Sequence, residues 1–204
     1  MDTLWHARVL MIEESASVGA KQRLGESMKL WEMFFLLAFA AGILVAAFWQ
    51  SGKLYFNNDE LLTAVLVSNP HFSEMWRVIK HGGELNPPLF FVLEWFVAQI
   101  FGTSELALRS ISAGSVALAG GVLFFLVRSW TGPRIAALAV ALVLGLSREV
   151  FFFASQARYY GLLLLLVSLA AFLSLRSDED RPGWRECFLI WLANCAIPKS
   201  QSPD

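Results

Sequence analysis

Two short polar clusters hold the residues of this chain best suited to chemistry. The first is Asn57-Asn58-Asp59-Glu60, just after an apolar run. The second is Ser155-Gln156-Ala157-Arg158-Tyr159-Tyr160, close ahead of another. By type, a carboxylate can accept a proton in a transfer step, and an arginine fork can hold phosphate oxygens. Each cluster also has a plainer use. Asp59 can cap a helix, and Arg158 can be a boundary arginine reaching from apolar surroundings to water. Other polar residues offer less. His71 and His81 read as loop polar groups. Tyr159 and Tyr160 suit anchors at a membrane surface. Glu105 and Arg109 stand four apart and can pair on one helix face. Cys187 and Cys195 match neither a zinc nor a redox spacing.

The elements that must position these clusters follow from composition. Of 204 residues, 56% are hydrophobic and only 16% charged, against about 45–50% and about 25% in soluble domains. Mean hydropathy is +0.55. These values exclude an ordinary soluble domain and a disordered chain. Net charge is −1 with no basic run, so nucleic-acid binding has no electrostatic basis. What remains is an all-α, polytopic transmembrane helix bundle.

Met33 to Gly52 is an uncharged run of 20 residues, enough for one span of about 30 Å. Residues 53–86 are mixed. Within them Asn57–Glu60 starts one short amphipathic helix, broken at Asn69-Pro70. Ser73 caps another, ended by Gly82-Gly83. Both are expected to lie on the membrane surface. Leu89 to Phe101 is apolar but short, and it contains Glu94. A charged carboxylate at mid-bilayer adds about 2.5–3.5 kcal/mol, so this segment reads as interfacial or re-entrant. Further spans are expected at about 110–127, 135–154 and 159–175. Arg128 and Arg134 flank one loop, and Arg176, Arg181 and Arg185 follow the last span. Keeping these loops and the tail 1–32 in the cytoplasm puts the loop 53–109 and the turn 155–158 outside. The organisation is then a tail (1–32), a membrane module (33–176) and a polar C-terminal tail (177–204).

Four motifs occur in order along this frame. They are Asp59-Glu60 after the first span; Asn86-Pro87-Pro88-Leu89-Phe90-Phe91; Phe101-Gly102-Thr103-Ser104-Glu105-Leu106-Ala107-Leu108-Arg109 leading into the next span; and the turn at Gln156-Ala157-Arg158. Over about residues 33–176 the chain resembles the N-terminal part of the GT-C glycosyltransferases related to the protein O-mannosyltransferases. Their bacterial members include enzymes that decorate lipopolysaccharide. The resemblance implies transfer of a sugar from a polyprenyl-phosphate-linked donor to an acceptor on the outer side of the membrane, with inversion. The acceptor would be a lipid, a glycan or a protein.

The same resemblance implies roles. Asp59 is the candidate base, and Glu60 orients Asp59 or the acceptor. Arg158 holds the carrier phosphate. Gln156, Tyr160 and Asn86 are candidate substrate contacts. Gln156 stands where many members have Glu, which weakens a metal site at the turn. A divalent cation is the one cofactor considered, and no metal ligand is assigned. Asn86 stands where His is common, so no His role is available there. The implied location is a bacterial inner membrane, with the N-terminus cytoplasmic. Members of the family are usually much longer, so a truncated chain is expected. The alternative to a transferase is then a non-catalytic membrane protein, a remnant or an interaction module.

Overall fold

The computed structural model describes residues 27–53, 55–82 and 86–176. The expected tail up to residue 26, Gly83, both cysteines and the polar segment from 177 onward lie outside the described residues. Among the described residues, all regular structure is helical. The elements are α1 (Leu30–Ser51), α2 (Asn58–Val67), α3 (Phe72–Lys80), α4 (Pro88–Phe101), α5 (Glu105–Thr131), α6 (Pro133–Val143), α7 (Arg148–Ala154) and α8 (Tyr160–Arg176). This is the all-α membrane bundle that composition requires.

Helices α1 and α5 are long and apolar enough to cross a membrane, with 22 and 27 residues. On α1 the large apolar side chains Phe34, Leu37, Val45 and Trp49 are exposed, while Ile43 and Ala47 are buried. So large an apolar surface matches lipid rather than water. The buried face of α5 is built from Ser112, Ala113, Ser115, Val116, Ala117, Ala119 and Gly120. Small residues let backbones approach closely, which is what drives helix packing in lipid.

Helices α1 and α5 are antiparallel and pinned at both ends. At one end Arg109 Nη1 donates to the Ser51 carbonyl at 2.8 Å. At the other, Arg128 Nε lies 3.2 Å from Glu32 Oε2, with both side chains buried. Between them, Ile43 and Ala47 meet Ala113, Val116 and Ala117. Phe35 and Phe39 pack towards Phe124.

From the Arg128 end the chain turns at Gly132, whose φ of +95° favours glycine. It returns along α5 through α6. The expected run 135–154 is two helices, with α6 and α7 bent by 74°. The break has a local cause. Ser147 Oγ accepts from Val150 N–H at 3.4 Å and starts a new helix at the polar pair Arg148-Glu149. The turn after Ala154 brings the chain back to the Ser51 end, where α8 begins.

The loop between α1 and α5 holds the two expected short helices. The second one starts earlier than its sequence indicated. His71, not Ser73, stands at the N-cap of α3. His71 N–H donates to Asn69 Oδ1 at 2.9 Å, so the Asn69-Pro70 turn itself sets the start and leaves Ser73 inside the first turn. Trp95 Nε1 of α4 donates to the Asn69 carbonyl at 2.8 Å, tying that turn to α4. Within the expected start at 57–60 it is Asn57, not Asp59, that caps α2: its N–H donates to Glu60 Oε2 at 3.0 Å, and Asp59 lies inside the first turn.

Candidate functional site

Asp59 and Arg158 are 99 positions apart in sequence, yet Arg158 Nη1 lies 2.8 Å from Asp59 Oδ2. Asp59 is 62% exposed at its side chain and Arg158 24%. The pair therefore sits at the open rim of the bundle. Solvent-exposed pairs of this kind contribute only about 0–1 kcal/mol.

Directly beneath it is a second, sealed pair. Glu60 and Arg109 are each 1% exposed. Arg109 Nε donates to Glu60 Oε1 and Nη2 to Oε2, both at 3.0 Å. Glu60 Oε1 also accepts the Ala157 N–H at 2.6 Å. Arg109 further reaches the carbonyls of Ser51 at 2.8 Å and Tyr55 at 3.3 Å. It also pairs with Glu105 at 3.4 Å and faces the Phe56 ring at 5.3 Å. One guanidinium thus joins the end of α1, the start of α2 and the start of α5. Through Glu60 it also reaches the turn before α8. Burial works against ionisation of Glu60. The Arg109 hydrogen bonds and the N–H groups of Asn57 and Ala157 overcome it, and the carboxyl is held below its ordinary value.

The backbone around Arg158 is fixed from α5. Ser112 Oγ donates to the Arg158 carbonyl at 2.7 Å and accepts from its N–H at 3.3 Å. The approach that allows this depends on Gly161. A Cβ there would lie 2.6 Å from the Ser112 carbonyl oxygen. The side chain of Arg158 faces the Tyr160 ring at 5.6 Å. Tyr160 stands 4.4 Å from Tyr159 and 4.6 Å from Phe153, ring centre to ring centre.

Of the residues singled out by sequence, Asp59, Arg158 and Tyr160 are brought together. Glu60 lies beside them but turns into the core. Gln156 is buried, and its carbonyl accepts the Arg158 N–H at 2.9 Å. Asn86 is half-buried in a different segment, ahead of α4. Among the described residues, no group of three or more His, Cys, Asp or Glu side chains is arranged to hold a metal ion. Asp59 faces Arg158, Glu60 is taken by Arg109 and Gln156 is neutral, a donor set poorly matched to a divalent cation. Sequence reasoning named Arg109 only as the helix-face partner of Glu105, a pair that is present, and missed its link to Glu60 and the part of Ser112. The visible signal was an arginine at the threshold of an apolar run, which its neighbour Glu105 seemed to explain.

Compared with protein families, residues 85–197 match dolichyl-phosphate-mannose-protein mannosyltransferase. No curated protein and no solved structure matches the chain. The matched span includes Asn86, Arg109, Gln156, Arg158 and Tyr160, whereas Asp59 and Glu60 precede it.

Proposed function

The chain belongs to the dolichyl-phosphate-mannose-protein mannosyltransferase family, membrane glycosyltransferases of the GT-C type, and on that premise we propose that it transfers a sugar from a polyprenyl-phosphate carrier. The acceptor is a hydroxyl of a lipid, glycan or protein on the outer side of the membrane. That membrane is a bacterial inner membrane, with the N-terminus cytoplasmic. The observation that carries this reading is the 2.8 Å meeting of Asp59 and Arg158 at the exposed rim.

In the proposed step the acceptor oxygen attacks the anomeric carbon. The bond from that carbon to the carrier phosphate breaks, and the phosphate leaves with the electron pair. Attack from the side opposite the leaving group inverts the centre. The proton released by the acceptor goes to Asp59. Arg158 holds the phosphate oxygens and offsets the charge that gathers on them. Tyr160 supports the Arg158 guanidinium from one face. Glu60 and Arg109 are positioning residues. They touch no reacting atom, and they hold residue 59 against residues 157–158.

The test is transfer from a lipid-linked sugar in membranes carrying the Asp59→Asn chain. The expected loss is about 100-fold or more, the share of a general base. Undiminished transfer would remove Asp59 from that role.

A further inference from the structure

We propose that the Asp59–Arg158 pair is a resting lock on one oxygen of Asp59, Oδ2, opened when a lipid phosphate draws Arg158 away. This rests on the reading of Asp59 as base and Arg158 as phosphate holder, and it adds an order of events to it. The carrier phosphate arrives first and releases Oδ2 for the acceptor's proton.

Three features of the site support the lock. First, two polar links run side by side between the same two segments, and they differ in burial. The inner link, Glu60 to the Ala157 N–H at 2.6 Å, is sealed. The outer link, Asp59 to Arg158 at 2.8 Å, is open to solvent. The outer one can therefore part while the inner one keeps the frame.

Second, the backbones on both sides are held independently of the pair. Ser112 holds both the N–H and the carbonyl of Arg158. Thr63 Oγ1 donates to the Asp59 carbonyl at 3.1 Å. Swinging the guanidinium requires no change in the turn that carries it.

Third, phosphate and carboxylate compete for the same guanidinium N–H groups. The donor's phosphodiester carries one charge, as an aspartate does, but it accepts the fork through two oxygens where Asp59 meets it through one, so it displaces the exposed aspartate. While Asp59 Oδ2 faces Arg158, that oxygen is not available to an acceptor hydroxyl.

The test uses the full chain in lipid nanodiscs and citronellyl phosphate, a short isoprenoid phosphate monoester, with citronellol as its neutral counterpart. Asp59→Asn removes the competitor, so citronellyl phosphate should bind about 2–5-fold tighter, the scale of a released exposed ion pair. Binding of citronellol should not change. In an Arg158→Ala background the Asp59→Asn effect should vanish, because there is no shared partner left to release. Equal or weaker binding of citronellyl phosphate by the Asp59→Asn chain overturns the lock. So does tightening that persists without Arg158, which would be plain charge repulsion. So does equal tightening of citronellol. An inactive Asp59→Asn chain with unaltered phosphate binding leaves the base role standing and removes only the lock. A fully active Asp59→Asn chain removes the base role itself.

Discussion

Arg109 has three jobs at once: it neutralises Glu60, fills the last carbonyl of α1, and stacks on Phe56. Replacing it with Met leaves Glu60 charged, buried and short of its partner. Breaking a buried pair in this way costs about 3–5 kcal/mol. We expect Arg109→Met to lower the melting temperature in detergent strongly, and Arg109→Lys to fall between, because lysine lacks the fork. An unchanged melt would mean the pair contributes no stability. Glu60 also predicts an acid limit. Its folded carboxyl lies below the ordinary 4.5. Above that value the carboxyl is ionised in both folded and unfolded chains, and its stabilisation is complete. As pH falls through the lowered folded value, the stabilisation is lost. A pH series of melting temperatures should therefore drop at the acid end for the native chain. Glu60→Gln should start lower and follow a flatter curve there. Parallel curves would assign the acid limit to other groups.

At the scale of elements, α4 carries the least explained polar group. Glu94 is fully buried, and neither of its carboxyl oxygens has a hydrogen-bond partner among the described residues. Its neighbours along the helix, Phe90, Phe91 and Ala98, belong to the apolar core with Val67, Met75 and Leu108. An unsatisfied buried polar group costs about 1–3 kcal/mol. Glu94→Leu should therefore raise the melting temperature while leaving the Asp59–Arg158 rim intact. A lower melting temperature would show that Glu94 serves a partner. The same scale explains the α6–α7 bend. Apolar composition ran through residues 135–154 with only Arg148 and Glu149 interrupting it. A serine cap at Ser147 restarts the helix in a new direction. Propensity sums along a run do not register such a restart, because the cap acts through one side chain and one N–H.

For the whole molecule, the decisive feature is the direction of the long helices. The Glu32–Arg128 pair marks one end of the α1–α5 pair, and Ser51–Arg109 marks the other, shared with Asp59 and Arg158. We expect both segments of the rim to face the outside. After Cys187 and Cys195 are replaced, cysteines at Tyr55 and Arg158 should react with an impermeant maleimide from outside. A cysteine at Thr131 should react only once the membrane is opened. Labelling of the first two from opposite sides would dismantle the proposed site.

Composition and run length by themselves determined that this chain is a helical membrane protein, because lipid demands long uncharged helices and the sequence displays them openly. Asparagine caps, proline breaks and the two polar clusters were legible too, since each acts within a few residues of itself. What the tertiary structure alone decided was pairing. Asp59 and Glu60 are neighbours of like charge, and no local rule sends one to the rim and the other into the core. Only the α5 face, with Arg109 and Ser112 one turn apart, sorts them. It does so by offering the buried carboxylate a guanidinium and the exposed one an arginine held by its own backbone.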